Sequence, residues 1–195
     1  MNTTSEGPVY DRDLPVLVSE RLRLRPFTQA DAGDLFAMFS VADVTRFWSS
    51  PQMTDVEQAH QLIREIIDEF ASGELHEWVL ELRDQPGLIG TCALAHLDAA
   101  NRRGEIGFAL RREAWGKGYV AEILPVLVEH AFGSLGLHRL EADVDPRNAA
   151  SIRALERLGF QREGLLRERW QATGEVQDSL LMGLLAPEWR ARTAG

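Results

Sequence analysis

The spacing of apolar side chains predicts strands that alternate with helices. Strand-like alternation or short apolar runs occur in seven segments, which are 16–27, 78–82, 88–97, 105–110, 140–144, 160–166 and 177–184. Helical spacing occurs in four others, which are 28–39, 54–73, 120–131 and 148–158. This order predicts an α+β protein, a mixed sheet with flanking helices. We expect residues 1–195 to form one domain, with residues 1–15 as an irregular N-terminal extension.

Polar residues mark the expected ends of the helices. Thr28 with Asp31, and Thr54 with Glu57, have the spacing of N-terminal capping boxes. Pro125 falls inside the third helical segment. It predicts either a kink or a later helix start, because proline has no N–H to donate to the preceding turn.

Composition narrows the class of protein. Hydrophobic residues make up 45% of the chain and charged residues 26%, as in ordinary globular domains. No apolar run approaches the ~18 residues of a membrane span, and the first residues do not resemble a signal peptide. The single cysteine, Cys92, fits a reducing compartment. We therefore expect a cytoplasmic protein that does not bind membranes.

Charge is distributed unevenly along the chain. The net charge of −9 argues against nucleic-acid binding, which needs a basic surface. Residues 28–81 hold eleven acidic and two basic side chains. They form either the solvated outer face of two helices or an acidic wall that attracts a cationic substrate.

Residues 105–120, EIGFALRREAWGKGYV, combine an apolar strand, a short glycine-containing loop and the start of a helix. Backbone N–H groups at a helix start have no intrahelical partner and suit an anion. Gly116 and Gly118 leave those amides uncovered by side chains. Residues 102–119 also hold five basic and two acidic side chains. The segment therefore predicts a site for a phosphorylated ligand.

Residues 105–168 resemble the acetyl-CoA-binding half of the GNAT N-acetyltransferases. Within that family they resemble the branch related to RimJ and RimL, the ribosomal-protein N-terminal acetyltransferases. The W-G-K-G loop, Asn148 thirty residues further on and the run S-I-R-A-L-E-R-L-G-F occur in the order typical of the family. The similarity extends over nearly the whole chain.

The resemblance implies a mostly antiparallel seven-stranded sheet flanked by four or five helices. Its central strands, 105–110 and 140–144, would splay apart. It also implies acetyl-CoA as co-substrate. None of the five histidines stands at metal-ligand spacing, so we expect no metal. Backbone amides near Lys117 would hold the pyrophosphate, and the strand before the loop would pair with the pantetheine arm. The residues assigned to the coenzyme are Phe108, Ala109, Leu110, Arg111, Arg112, Gly116, Lys117, Gly118, Tyr119, Val120 and Asn148.

Two positions depart from the family pattern. Glu113 stands where the acceptor motif usually begins with Gln or Arg, so the cation beside the pyrophosphate must be Arg111, Arg112 or Lys117. Glu156 stands where many relatives have a tyrosine that protonates the leaving thiolate. The RimL-like branch suggests Ser151 for that role, although Ser151 could equally be a small polar residue near a helix start.

The resemblance implies direct acetyl transfer to a primary amine, without an acyl-enzyme. Glu105 and Glu141 are the candidates for the general base, and either could instead face solvent. The backbone N–H of Leu110 is a candidate to polarise the thioester carbonyl. Cys92 lies in the middle of a strand and is expected to be a buried structural thiol.

Aromatic residues are candidates for the acceptor site. Phe47, Trp48 and Trp170 are assigned to substrate binding, whereas Trp78 fits the core better. The acceptor would be a protein N-terminal α-amine or a small cationic amine, and the hairpin over 160–184 offers a surface for a homodimer.

Two other classes compete with this function. The first is a non-catalytic acyl-CoA-binding or sensing module of the same fold. The second, a nucleotide-binding protein, is disfavoured because both GxxxxGK[ST] and GxGxxG are absent.

Overall fold

The computed structural model describes residues 14–48, 50–171 and 174–194. These residues build an eight-stranded sheet in the order β1-β2-β3-β4-β5-β6-β8-β7. The strands are β1 (Leu17–Val18), β2 (Leu22–Pro26), β3 (His76–Leu82), β4 (Leu88–Asp98), β5 (Arg103–Leu110), β6 (Arg139–Val144), β7 (Gln161–Trp170) and β8 (Gln177–Leu185). The helices are α1 (Ala32–Phe39), α2 (Ala42–Thr45), α3 (Val56–Ser72), α4 (Tyr119–Glu129), α5 (Ala149–Leu158) and α6 (Ala186–Thr193).

The sheet is mixed and mostly antiparallel, which confirms the predicted fold class. Only β5 and β6 run parallel to each other among the described strands. The prediction of a single strand over 16–27 is wrong. This segment forms two strands, β1 and β2, which gives the sheet its eighth strand. Ser19 closes a turn between them, and its hydroxyl accepts a hydrogen bond from the N–H of Leu22 at 3.3 Å. Leu17 therefore pairs back onto Leu24.

Two apolar clusters hold helices against the two faces of the sheet. One cluster joins α4, α5 and α6 to the strands, and it contains the buried side chains of Leu94, Leu127 and Leu155. The other joins α1 and α3 to Val79 and Leu88. Helices thus cover both faces, with α1 and α3 packed on the side of β3 and β4.

The helix ends agree with the predictions in part. The Thr28–Asp31 capping box is present before α1, but α3 begins with a box formed by Asp55 and Gln58 rather than by Thr54 and Glu57. The later start predicted from Pro125 is also wrong. Helix α4 begins at Tyr119, continues through Pro125 and widens into a π-helical turn over His130–Ser134.

The parallel strands β5 and β6 diverge, as predicted. Their pairing covers three positions and ends with Glu105 opposite Glu141. Beyond that point β5 stays paired with β4 as far as Leu110, while β6 stays paired with β8 as far as Val144. Each strand is therefore held by its outer neighbour, and an opening forms between them.

Candidate active site

The edge of β5 that faces the opening has unpaired backbone groups. In an antiparallel ladder, alternate residues direct their N–H and C=O groups to the same neighbour. The N–H of Arg111 bonds to the carbonyl of Ile89 next to β4, so the backbone of Phe108 and Leu110 faces β6 instead. The Leu110 carbonyl accepts a hydrogen bond from the Trp115 indole at 2.9 Å. The N–H groups of Phe108 and Leu110 thus point into the opening, where an extended ligand can pair with them.

The glycine loop after β5 forms an anion cradle. Gly116 and Gly118 have φ of 73° and 80°, a left-handed conformation that favours glycine. A Cβ on Gly116 would meet nothing within 4 Å, which leaves open space above the loop. Within the described residues, none of the N–H groups of residues 116–118 donates to another backbone group. The first N–H groups of α4 add further free donors. This arrangement fits a diphosphate.

The cations near the loop are not equivalent. Arg111 is turned away, since its guanidinium donates to the Asp34 carboxylate at 2.7 Å and to the Asp34 carbonyl at 2.8 Å. Arg112 is exposed, stacks on Trp115 and lies 3.4 Å from Asp43. Lys117 forms no ion pair with any described residue. Of the three candidates from the sequence, Lys117 is the cation that is free to meet a phosphate.

Arg21 is a fourth cation at the loop, and sequence reasoning missed it. It belongs to the turn between β1 and β2, and its guanidinium donates to Glu122 at 2.6 Å and to the Lys117 carbonyl at 3.3 Å. It also lies over the ring of Tyr119, 4.9 Å from the centroid. Arg21 therefore fixes the loop to the first turn of α4.

Two cavities meet at the opening between β5 and β6. The sheet cavity, of about 300 Å³, lies over β3 to β6, and the loop cavity, of about 350 Å³, lies beside Gly116. Five residues line both cavities, namely Phe47, Trp48, Phe108, Asn148 and Ser151. A ligand that enters along the glycine loop and one that enters over the sheet would therefore meet between these residues.

The first turn of α5 supplies polar groups at this junction. Asn148 is the N-cap of α5, and its side-chain oxygen accepts the N–H of Ser151 at 3.1 Å. Ser151 lines both cavities, and its hydroxyl has no hydrogen-bond partner among the described residues. Glu156 lies further along α5 and bonds to Arg162 at 2.9 Å, outside both cavities.

The predicted aromatic residues cover the sheet cavity. Phe47 and Trp48 follow α2 and are half-buried, and the Trp48 ring lies 5.4 Å from that of Phe39. Trp170 lines the other side from the end of β7. Trp78, in contrast, is fully buried in the core and donates its indole N–H to the Pro15 carbonyl at 2.8 Å. Cys92 is buried in the same core, and burial raises the pKa of its thiol.

The two candidate bases have different environments. Glu105 is half-buried and lines the sheet cavity. Burial raises the pKa of Glu105, and the negative charges of Asp143 and Glu141 act in the same direction. Glu141 lines neither cavity, because Arg139 and Arg103 hold its carboxylate at 2.8 and 3.2 Å.

Carboxylates that were not among the predicted site residues also line the sheet cavity. Asp143 bonds to Arg169 at 2.9 Å, and Asp145 bonds to Arg147 at 2.7 Å. Glu77 has no cationic partner among the described residues. Burial raises the pKa of Glu77 to about 7, although a hydrogen bond from Thr91 acts in the opposite direction. The alternation in HEWVLEL, which places Glu77 on the same face of β3 as Val79, could have indicated this position.

The structure thus brings most of the predicted site residues together. The predicted residues that line at least one cavity are Phe47, Trp48, Glu105, Phe108, Ala109, Leu110, Gly116, Val120, Asn148, Ser151 and Trp170. Those outside both linings are Arg111, Arg112, Lys117, Gly118, Tyr119 and Glu141. In the described part of the chain, no set of His, Cys, Asp and Glu side chains could hold a metal ion, and no helix is long and apolar enough to cross a membrane.

Comparison with known proteins agrees with the fold and the cleft. Residues 21–161 match the family described as "Acetyltransferase (GNAT) domain". The chain belongs to this family. It is 38% identical over 176 residues to an N-acetyltransferase of Bacillus licheniformis named p20, covering 90% of this chain and 99% of the relative. GNAT acetyltransferases use acetyl-CoA, and the cradle described above fits it.

Two further relatives carry more specific names. Mycobacterium smegmatis RimJ, solved in complex with CoA-disulfide, superposes with a TM-score of 0.78 at 25% identity, over 90% of this chain and 89% of that one. A spermidine N(1)-acetyltransferase of Vibrio cholerae is 23% identical over 176 residues, which are 90% of this chain and 99% of the relative. The predicted GNAT family is confirmed, and the RimJ structure is consistent with the expected RimJ/RimL-like branch.

Proposed function

We propose that this N-acetyltransferase transfers an acetyl group from acetyl-CoA directly to a primary amine, in a complex that holds both substrates. The observation that carries the proposal is the meeting of the two cavities at the opening between β5 and β6. One cavity leads from the anion cradle and the other from the acidic side of the sheet. The two substrates can therefore approach each other without a covalent enzyme intermediate.

The loop cavity would hold the coenzyme. Backbone N–H groups from Gly116 to Val120 would bind the diphosphate, with the Lys117 ammonium nearby. The N–H groups of Phe108 and Leu110 would pair with the pantetheine arm, and Asn148 would contact it from α5. Acetyl-CoA supplies an activated acetyl group.

Glu105 is the proposed general base. In the overall reaction, one amine N–H bond and the thioester C–S bond break, while the amide C–N bond and a thiol S–H bond form. An alkyl amine with a lysine-like pKa of about 10.4 is neutral in fewer than about one molecule in a thousand at pH 7, so a base must remove its proton. Glu105 lines the sheet cavity and forms no ion pair with another described residue, whereas Glu141 is held by two arginines.

Ser151 is the proposed proton donor to the departing thiolate. Ser151 lines both cavities, at the junction where the thiolate would form. Glu156 occupies the place of the tyrosine used by many relatives, but its carboxylate is bonded to Arg162 away from the cleft. The backbone of Ser151 is fixed by Asn148, which positions the hydroxyl for this role.

The acceptor is proposed to be a small cationic amine. Every charged side chain among the described residues that line the sheet cavity is acidic. Such a cavity attracts a cation before its reacting nitrogen is deprotonated. The names of relatives include both a ribosomal alanine N-acetyltransferase and a spermidine acetyltransferase, so a protein N-terminus is the competing acceptor.

Calorimetric titration with coenzyme A, together with mass spectrometry of products from a panel of amines, tests the function. We expect stoichiometric binding and acetylation of at least one primary amine, with no acetylated protein accumulating. Coenzyme binding without turnover of any amine would instead indicate a non-catalytic acyl-CoA-binding module.

A pair of glycine variants tests the coenzyme site. Gly116→Ala would place a methyl group in the cradle, and we expect coenzyme A to bind about tenfold more weakly. Gly136→Ala is the matched control, since Gly136 also has a positive φ, of 64°, and open space around it, but lies outside both cavities. Equal affinity in both variants would contradict the proposed cradle.

A further inference from the structure

The sheet cavity continues well past the position proposed for the reacting amine. Glu77 pairs across the sheet with Ala93, and Ala93 pairs with Gly107 at the opening between β5 and β6. Two interstrand spacings separate Glu77 from Gly107, which places their Cα atoms roughly 10 Å apart. All three residues lie on the same face of the sheet, because they share one register row.

The path between these two ends is apolar and open. Its floor is formed by Ala93, with a single methyl group, and by Gly107, with no side chain, which leaves space above the sheet. Trp48 and Leu75 line it from above. A ligand segment along this path would therefore be an unbranched hydrocarbon chain rather than a polar group.

Glu77 closes the far end of the path with a carboxylate. In contrast to Asp143 and Asp145, which are bonded to Arg169 and Arg147, it has no cationic partner in the described part of the chain. Thr91 donates a hydrogen bond that orients it. A half-buried carboxylate without a cation is less stable than a paired one, and an incoming ammonium group would remove that penalty.

We propose that Glu77 binds a second ammonium group of the acceptor, so that the enzyme selects linear diamines over monoamines of the same length. The reacting nitrogen lies at the opening near Glu105, the hydrocarbon chain crosses Ala93, and the second nitrogen reaches Glu77. This inference rests on the proposed function, and it makes Glu77 a specificity-determining residue rather than a catalytic one.

The test compares kcat/KM for a series of linear diamines and their matched monoamines in three proteins. These are the wild type, Glu77→Gln and Glu69→Gln. Glu69 is an exposed acid of α3 whose charge acts on Glu77 from outside the cavity, so its variant controls for net charge.

In the wild type we expect a preference for diamines of about tenfold to a hundredfold that peaks at one chain length. Glu77→Gln should remove most of that preference through a higher KM for the diamine, and it should raise the KM for the monoamine much less. Glu69→Gln should keep the preference.

Equal losses for diamine and monoamine in Glu77→Gln, or peptides with free N-termini that outcompete every diamine, would overturn the inference. If no amine is acetylated, the proposed function fails separately. Calorimetric binding of the diamine to the protein with coenzyme A then still decides the Glu77 site, because loss of binding in Glu77→Gln supports it and unchanged binding refutes it.

Discussion

Strand β3 carries two carboxylates on one face, those of Glu77 and Glu81. Their surroundings shift their pKa values in opposite directions. Glu81 is 1% exposed and accepts hydrogen bonds from both Arg23 and Arg25. Burial alone would raise the pKa of Glu81, but these arginines hold it below its usual value. Glu77 faces the sheet cavity, where no described residue pairs with it as a cation, and burial raises its pKa to about 7.

The difference follows from where β2 ends. Arg23 of β2 lies opposite Glu81 and Arg25 lies opposite Val79, so both guanidinium groups are beside Glu81. Strand β2 ends at Pro26, opposite Trp78, and therefore supplies no arginine next to Glu77. The two arginines of β2 thus make Glu81 part of the structural contacts of the sheet, whereas Glu77, with no cationic partner in the described part of the chain, faces the sheet cavity.

The largest effect is expected for Glu105, a second cleft carboxylate without an ion pair to any described residue. If it is the base, Glu105→Gln should lower kcat/KM by about 10²- to 10³-fold near neutral pH. The loss should shrink at high pH, where the amine is already neutral. In the wild type, activity should fall as the pH drops through the raised pKa of Glu105, since only the ionised carboxylate accepts a proton.

Initial rates from pH 5 to 10 with saturating acetyl-CoA measure this directly. Glu141→Gln is the matched comparison, because Glu141 lies opposite Glu105 but outside both cavities. Glu105 is not the base if the ratio of wild-type to Glu105→Gln activity is the same at every pH. A larger loss of activity in Glu141→Gln than in Glu105→Gln would also exclude it.

Substitution of Glu81 should lower the stability of the protein rather than its catalytic rate. Glu81→Gln leaves two arginines short of a partner, and we expect the free energy of unfolding to fall by about 2–3 kcal/mol at pH 7. This is less than for a fully buried pair, because the side chains of Arg23 and Arg25 are 39% and 23% exposed. The difference should shrink at acid pH, as protonation through the lowered pKa of Glu81 removes the same interaction in the wild type.

Urea unfolding followed by tryptophan fluorescence measures the effect. Glu57→Gln is the control, since it breaks an exposed pair with Arg64 that contributes about 0.5 kcal/mol or less. A Glu81→Gln protein as stable as this control would show that Glu81 is not a structural anchor.

The same comparison explains which parts of the site could be predicted from the sequence. The glycine loop depends on backbone groups within one continuous segment, so local pattern is enough. The free edge of β5 depends on the divergence of β6, and it was predicted from the family resemblance. Arg21 and Glu77 depend on tertiary neighbours. Arg21 reaches Lys117 across 96 residues, and Glu77 resembles Glu81 in the sequence until the end of β2 separates their surroundings.

The strands follow the same rule. Alternation located the strands that pack on a core, but it merged β1 with β2, because both halves of 16–27 have the same pattern and only the Ser19 turn separates them. Helix α6 was missed because its apolar contacts, Ala186 and Trp189, give almost no helical periodicity. Helix α6 forms because Ala186 and Trp189 pack into the apolar cluster on the α4 side of the sheet, and the sequence pattern does not show this contact.

The smallest effect concerns the stability of Glu77→Gln and has the opposite sign to that of Glu81→Gln. The folded pKa of Glu77, about 7, lies above its ordinary value of 4.5, so the folded state binds more protons between these values. Wild-type stability from this group is present below pH 4.5 and is lost as the pH rises to 7. Glutamine does not ionise, so the variant should be about 1–2 kcal/mol more stable than the wild type at pH 8 and equal to it near pH 4.5. Urea unfolding at both pH values, with Glu69→Gln as control, measures this crossover. If Glu77→Gln is less stable than the wild type at pH 8, then Glu77 stabilises the folded sheet as Glu81 does, and the two carboxylates do not differ in the way proposed.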